Sequence, residues 1–149
     1  MSELPEVGVE LRTEDRIMSR ELMRWYCDAL ETAADADGTF KIAAPTIHSS
    51  DEYAHSQGLP AIIADGMIST NWISGLLARE FGLGYIGRGS LRTKFIRPIY
   101  EDEIVSTHAR VTAVEIDDAG TVVTMDVWAA IEPGGTLCTV GTATARVPS

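Results

Sequence analysis

The stretch IHSSDEYAHSQGLPAIIADGMIST, residues 47–70, gathers side chains that can move a proton or hold a metal: His48, Asp51, Glu52, His55 and Asp65, the last followed by Gly66. An imidazole titrates near pH 6.5 when unperturbed, so His48 can take a proton from water and return it at neutral pH. Asp65-Gly66 opens an apolar run, the place where a helix begins, leaves amides free and favours negative charge. The register H-x-x-D-E-x-x-H over 48–55 has the outline of a zinc helix. Zinc helices set their histidines at i and i+4, whereas these two lie two turns apart, too far to share one ion, so no metal is expected.

Helices and strands must position these groups. Residues 19–34, SRELMRWYCDALETAA, repeat Leu22, Met23, Tyr26, Ala29, Leu30 and Ala33 at steps of three and four behind Ser19, the pattern of a capped amphipathic helix. DADGTFKIAAPT, 35–46, is rich in turn formers and reads as a loop. From 66 to 81, Met67, Ile68, Trp72, Ile73, Leu76, Leu77 and Phe81 cover more than half the helical circumference, which predicts a helix enclosed by protein. Gly82 and Gly84 should stop it, and Gly75 inside it is expected where another backbone comes close.

After residue 84 the period changes to two. SLRTKFIRPIY, EIVSTHARVTAVEID, TVVTMDVWAAIEP and LCTVGTATARV read as strands, with EDE, DDAG and GG as the turns of successive hairpins. Along the second strand Val105, Thr107, Ala109, Val111 and Ala113 form the expected buried face. GVELR, 8–12, supplies a fifth strand. The expected architecture is α+β: one domain over 1–149, with a curved antiparallel sheet of about five strands wrapped around the helix at 66–81. Trp72, Trp128, His55 and His108 read as packing and structural residues.

Composition narrows the partners. A net charge of −10 repels phosphodiester backbones, so nucleic acid is not expected. No apolar run approaches the roughly 20 residues of a membrane span. Cys27 and Cys138 are too few for a disulfide framework, and MSELPEVGVE lacks the basic flank and apolar core of a signal peptide, so a reducing cytoplasm is expected.

Taken in order, His48, Ala54, Gly58, Leu59, Ile63, Asp65-Gly66-Met67, Ser74-Gly75-Leu76-Leu77, Ser90-Leu91-Arg92-Thr93-Lys94-Phe95, Pro98 and Glu101-Asp102-Glu103 resemble the MaoC-like acyl dehydratases and (R)-specific enoyl-CoA hydratases of the hotdog fold. The resemblance runs over about residues 43–115, half the chain. It implies a subunit that dimerises, binds an acyl thioester of CoA or an acyl carrier, and adds or removes water at the adjacent double bond. The family pattern Asp-x-Asn-Pro-x-His falls on Ala43-Ala44-Pro45-Thr46-Ile47-His48. His48 thus matches the catalytic histidine, while Ala43 and Pro45 stand where the family has aspartate and asparagine. The resemblance also puts the Gly66 amide at the oxyanion and Ser74 and Met67 along the substrate.

Asp65 and Asp51 are the carboxylates that could replace the missing aspartate, and Asp65, adjoining Gly66, is preferred. Arg92 and Lys94 share a strand face within the basic group Arg88, Arg92, Lys94 and Arg97, a patch suited to phosphate. The expected catalytic set is His48, Asp65 and Gly66, and the expected substrate contacts are Ser74, Met67, Asp51, Arg92 and Lys94. No cofactor is expected beyond the CoA or carrier portion of the substrate. The expected partners are a second copy or a homologous subunit. A thioesterase, and an acyl-binding subunit without activity, are the competing readings.

Overall fold

In the computed structural model, which describes residues 5–34 and 44–147, the chain runs β1 (Glu10–Arg12), β2 (Arg16–Ile17), α1 (Arg20–Ala34), α2 (Asp51–Ser56), α3 (Gly66–Phe81), α4 (Leu83–Ile86), β3 (Ser90–Phe95), β4 (Ile104–Asp117), β5 (Gly120–Glu132) and β6 (Thr136–Val147). Most of the loop expected over 35–46, including Ala43, lies outside the described residues.

Every strand pairing is antiparallel, in the order β1-β4-β5-β6-β3, with β2 beside β4 on the same edge as β1. β4 and β5 form the hairpin that DDAG announces, and β5 and β6 the one that GG announces, where Gly134 and Gly135 take φ of 110° and 65°. EDE does not make a hairpin. β3 pairs with β6 at the far side of the sheet, because the free edge of β4 is taken by β1 and β2. Glu101-Asp102-Glu103 instead carries the chain across to β4, with Asp102 at φ 64° and the Glu103 carboxylate accepting from the Tyr100 N–H at 2.8 Å.

α3 lies against this sheet and buries Ile68, Ser69, Thr70, Ile73, Leu76 and Leu77. Full burial of each large aliphatic side chain contributes at most about 1.5–3 kcal/mol. Its other stripe, Met67, Asn71, Gly75 and Arg79, is exposed. Gly75 therefore faces open space, and a Cβ there would touch nothing within 4 Å. The close backbone approach expected at Gly75 occurs at Gly84, which does not stop α3 but sits inside α4 against the Arg146 carbonyl. Gly82, at φ 51°, ends α3.

Two bulges change the phase of the sheet. One between Val111 and Ala113 sets Ala113 opposite Thr124 and Val114 opposite the buried Val123, so Val114, not Ala113, continues the core face. The second skips Cys138, so that Ala129 pairs with Thr139 and Ala130 with Leu137. Cys138 and Thr139 are consecutive and both buried. On the opposite sheet face His108 stacks on Trp128 with 4.8 Å between centroids, donates from Nδ1 to Glu10 at 3.0 Å, and lies 2.9 Å from the Ser106 hydroxyl, a structural setting.

The bulge gives a direct test. Val114→Asp should cost more than about 2 kcal/mol in denaturant titration and Ala113→Asp less than about 1 kcal/mol, since only Val114 packs against the core; equal losses would place the phase change elsewhere.

Candidate active site

Between α2 and α3 the chain runs extended through Ile62, Ile63, Ala64 and Asp65, and the site is built on this segment. Its backbone is tied on all sides: Ile62 N–H donates to Asp51, Ile63 N–H to the Ile47 carbonyl, and Ala64 N–H to the Ile99 carbonyl, at 3.2, 3.1 and 2.8 Å. The Ile63 carbonyl accepts from His48 Nδ1 at 2.9 Å. A carbonyl can only accept, so Nδ1 carries the proton and the neutral ring presents Nε2 as its basic atom.

Asp65 begins α3 as its N-cap, and its Oδ1 accepts from Met67 N–H at 2.8 Å. The Gly66 N–H, the first of the helix, has no acceptor among the described residues. A side chain here would displace Phe95, because a Cβ would fall 2.7 Å from its ring.

His48, Asp65 and Gly66 line one cavity of about 530 Å³. Its remaining walls are Leu59, Ile63, Ala64, Ser69, Phe95, Ile96, Arg97, Pro98, Ile99 and Thr139. A second depression of about 580 Å³, reaching Tyr53 and Gln57, shares His48, Leu59 and Ile63, so the imidazole stands in the partition between the two. An imidazole with a free Nε2 can exchange a proton with water, and a helix-terminal amide can hold a developing anion. The walls nearby are mostly apolar, which strengthens both effects.

Solved structures share this architecture. An (R)-hydratase from A. caviae involved in PHA biosynthesis is 20% identical and matches over 99% of this chain and 100% of its own, with a TM-score of 0.72. The fold is the hotdog. The monoamine oxidase regulatory protein from Archaeoglobus fulgius gives 17% identity, coverage of 97% and 92%, and a TM-score of 0.76. The C-terminally truncated HadBC (3R-hydroxyacyl-ACP dehydratase) complex from Mycobacterium tuberculosis gives 18%, 97% and 99%, and 0.70. No family model and no curated protein matches the sequence. The likeness is therefore one of fold. No helix of the described residues is long and apolar enough to cross a membrane.

The other expected contacts lie away from the hotdog's cavity lining. Asp51 binds Arg20 Nη1 at 2.9 Å, and the same guanidinium reaches Glu101 at 2.6 Å, tying α1, α2 and the turn before β4 together. Asp51 thus acts on the site through the Ile62 amide. Ser74 hydrogen-bonds Tyr85 at 2.9 Å, and the Met67 side chain is exposed. Arg92 and Lys94 are exposed on β3; Arg97, from the same basic group, lines the cavity instead. The donors of 48–55 separate as well, His55 Nε2 donating to the Pro60 carbonyl at 2.8 Å, and no cluster of three metal-ligating side chains exists among the described residues. Burial pushes the Cys138 thiol up to about 11, so it stays protonated at neutral pH.

Sequence reasoning missed Phe95, Ser69, Thr139 and the cavity role of Arg97. Thr139 reaches α3 from 70 residues away through a bulge, and no local pattern marks it.

Two outcomes follow from these bonds. Asp65→Ala should lower stability by about 1 kcal/mol through loss of the cap, whereas Asp65→Asn, which keeps an acceptor, should stay within about 0.5 kcal/mol; thermal unfolding separates the two. Arg20 holds the carboxyls of Asp51 and Glu101 below their ordinary values of 3.8 and 4.5, chiefly by direct hydrogen bonds. The folded state then binds fewer protons than the unfolded one, so their contribution is complete above about pH 5 and is lost as pH falls through the lowered folded values. Tm should accordingly fall more steeply below pH 4.5 in the native protein than in Arg20→Gln; parallel curves would remove the guanidinium from this role.

Proposed function

We propose that this hotdog is a MaoC-like hydratase or dehydratase acting at the α,β double bond, or the β-hydroxyl, of an acyl thioester. The observation that carries the reading is the placement of His48, its Nδ1 fixed by Ile63, and of Gly66 on one cavity wall. In hydration, His48 Nε2 takes a proton from water as the oxygen bonds to Cβ. The double-bond electrons pass to the thioester oxygen, which is held by the Gly66 N–H. As that oxyanion collapses, Cα takes a proton from the imidazolium, with the Asp65 carboxyl assisting the transfer. Dehydration is the same path reversed. Leu59, Ile63, Phe95, Ile96 and Ile99 receive the acyl group, and the thioester carbonyl sits at the amino end of α3.

The carrier is phosphorylated in this reading. Arg97 at the cavity and Arg92 and Lys94 along β3 have no carboxylate partner among the described residues, in a chain of net charge −10. That leaves their charge free for phosphate. Assembly with a second copy or a homologous subunit belongs to the same proposal, since HadBC is a complex.

One observation favours a second reading. Asp65 is the single carboxylate lining the cavity among the described residues, it caps α3, and Ala43 stands where the family has aspartate. An acyl-binding subunit without turnover fits that set.

The assay is loss of enoyl absorbance from a short enoyl-CoA, run beside a free-thiol assay. We expect hydration without thiol release, and His48→Ala should lower kcat/KM by about 10²–10⁴. Asp65→Asn should reduce kcat more than Asp51→Asn; the reverse order rejects the role of Asp65. Thiol release would make the chain a thioesterase. Tight binding with no turnover would make it the inactive subunit.

A further inference from the structure

The amino end of α3 rests on a seat made by β3 and β6. Phe95 and Thr139 are paired across those strands, so both side chains reach the same face. The Phe95 ring covers Gly66. Thr139 Oγ1 lies 2.8 Å from Ser69 Oγ, and the Ser69 hydroxyl donates to the Gly66 carbonyl at 2.8 Å. A hydroxyl has one proton, and that of Ser69 goes to a carbonyl, so Thr139 must be the donor between the two. The direction runs from Thr139 to Ser69 to Gly66. Ser69 is 0% and Thr139 1% exposed, so no water competes for these bonds, yet both residues line the cavity. The bulge at Cys138 is what brings Thr139 inward beside it.

A back-bond from serine to the carbonyl three residues earlier is common within helices and alone fixes little. The second bond is different, because it anchors the helix end to a strand. We infer that Thr139 and Ser69 are positioning residues: their buried hydroxyl relay holds the Gly66 carbonyl, which fixes the first turn of α3 and thereby where the Gly66 N–H points, so that the amide meets the oxyanion. This rests on the proposed hydratase reading of the same site. An amide donor contributes only where it points at the charge as it develops, and small misplacements carry large kinetic costs.

The test uses Thr139→Val, which keeps shape and removes the donor, with Thr139→Ser, Ser69→Ala and the Thr139→Val/Ser69→Ala pair. With the short enoyl-CoA, Thr139→Val should lower kcat about tenfold with KM moved less than about twofold, because the amide acts on the transition state. Thr139→Ser should restore the rate. The pair should be no slower than Ser69→Ala alone, as expected of one relay. Unchanged kcat in Thr139→Val, a matching rise in KM, or multiplying losses in the pair would overturn the inference. An independent readout is the amide resonance of Gly66, which should shift in Thr139→Val and return in Thr139→Ser; an unmoved resonance also overturns the relay. If the native protein hydrates no enoyl thioester, the hydratase reading falls, and the Gly66 resonance still decides whether the relay exists.

Discussion

The extended segment Ile62–Asp65 is the constraint on which the site depends. It is too short to form secondary structure of its own, and its backbone groups find partners on the loop before α2, on the Asp51 side chain and on the Ile99 carbonyl in the connection between β3 and β4. A buried peptide group left without a partner costs about as much as a lost hydrogen bond, so each of these pairings resists movement of the segment. The same segment fixes both chemical groups. Its Ile63 carbonyl selects the tautomer of His48, and its last residue caps the helix that begins with Gly66. Imidazole and amide are thereby referred to one stretch of four residues, and the seat on β3 and β6 acts on the amide end of that stretch.

Arg20 extends that constraint to the amino-terminal helix. Its guanidinium joins Asp51 and Glu101, which belong to α2 and to the turn before β4. Each pair is partly exposed, and exposed pairs contribute little singly. Here a single planar group holds two carboxylates, which fixes geometry as well as charge. Asp51 is for that reason better understood as the support of Ile62 than as a reacting group. The carboxylate nearest in sequence to His48 after Ser50 is committed elsewhere, and Asp65 is left facing the cavity.

Much of the fold was legible because its signals are local. The apolar run at 66–81 gave α3, and Asp65-Gly66 marked its start within a residue. Alternation gave four strands, of which the one expected over 90–100 ends at Phe95, and DDAG and GG gave two hairpins. The errors have a common cause, which is pairing across long sequence distances. EDE looks like a hairpin turn, but β3 crosses to β6. Alternation along β4 breaks at a bulge that no residue type announces, so Ala113 was assigned the place of Val114. Gly75 and Gly84 are indistinguishable as letters, and only the fold shows that the close approach is at the second. Of the candidate site's lining, His48, Asp65 and Gly66 all come from one segment of 24 residues that their types and spacing mark out. Phe95 and Thr139 come from strands that reach the same helix end only through sheet register.

The charges around Gly66 bear on what the cavity can do. An ionised Asp65 suits a helix amino terminus, yet it also stands one residue from the amide assigned to the oxyanion. Two like charges roughly 6 Å apart at an effective dielectric near 20 repel by about 3 kcal/mol. That is close to the roughly 2.7–4 kcal/mol that an oxyanion donor supplies, so an amide beside a bare carboxylate would gain almost nothing. Arg97 lines the same cavity and is the single cation among its described lining residues. A guanidinium brought to a similar distance would offset the repulsion and restore the advantage of the amide. On this balance the proposed use of a carboxylate at position 65 calls for a cation near it, and Arg97, two residues beyond β3, is the cavity-lining side chain that can serve either that carboxylate or a substrate phosphate.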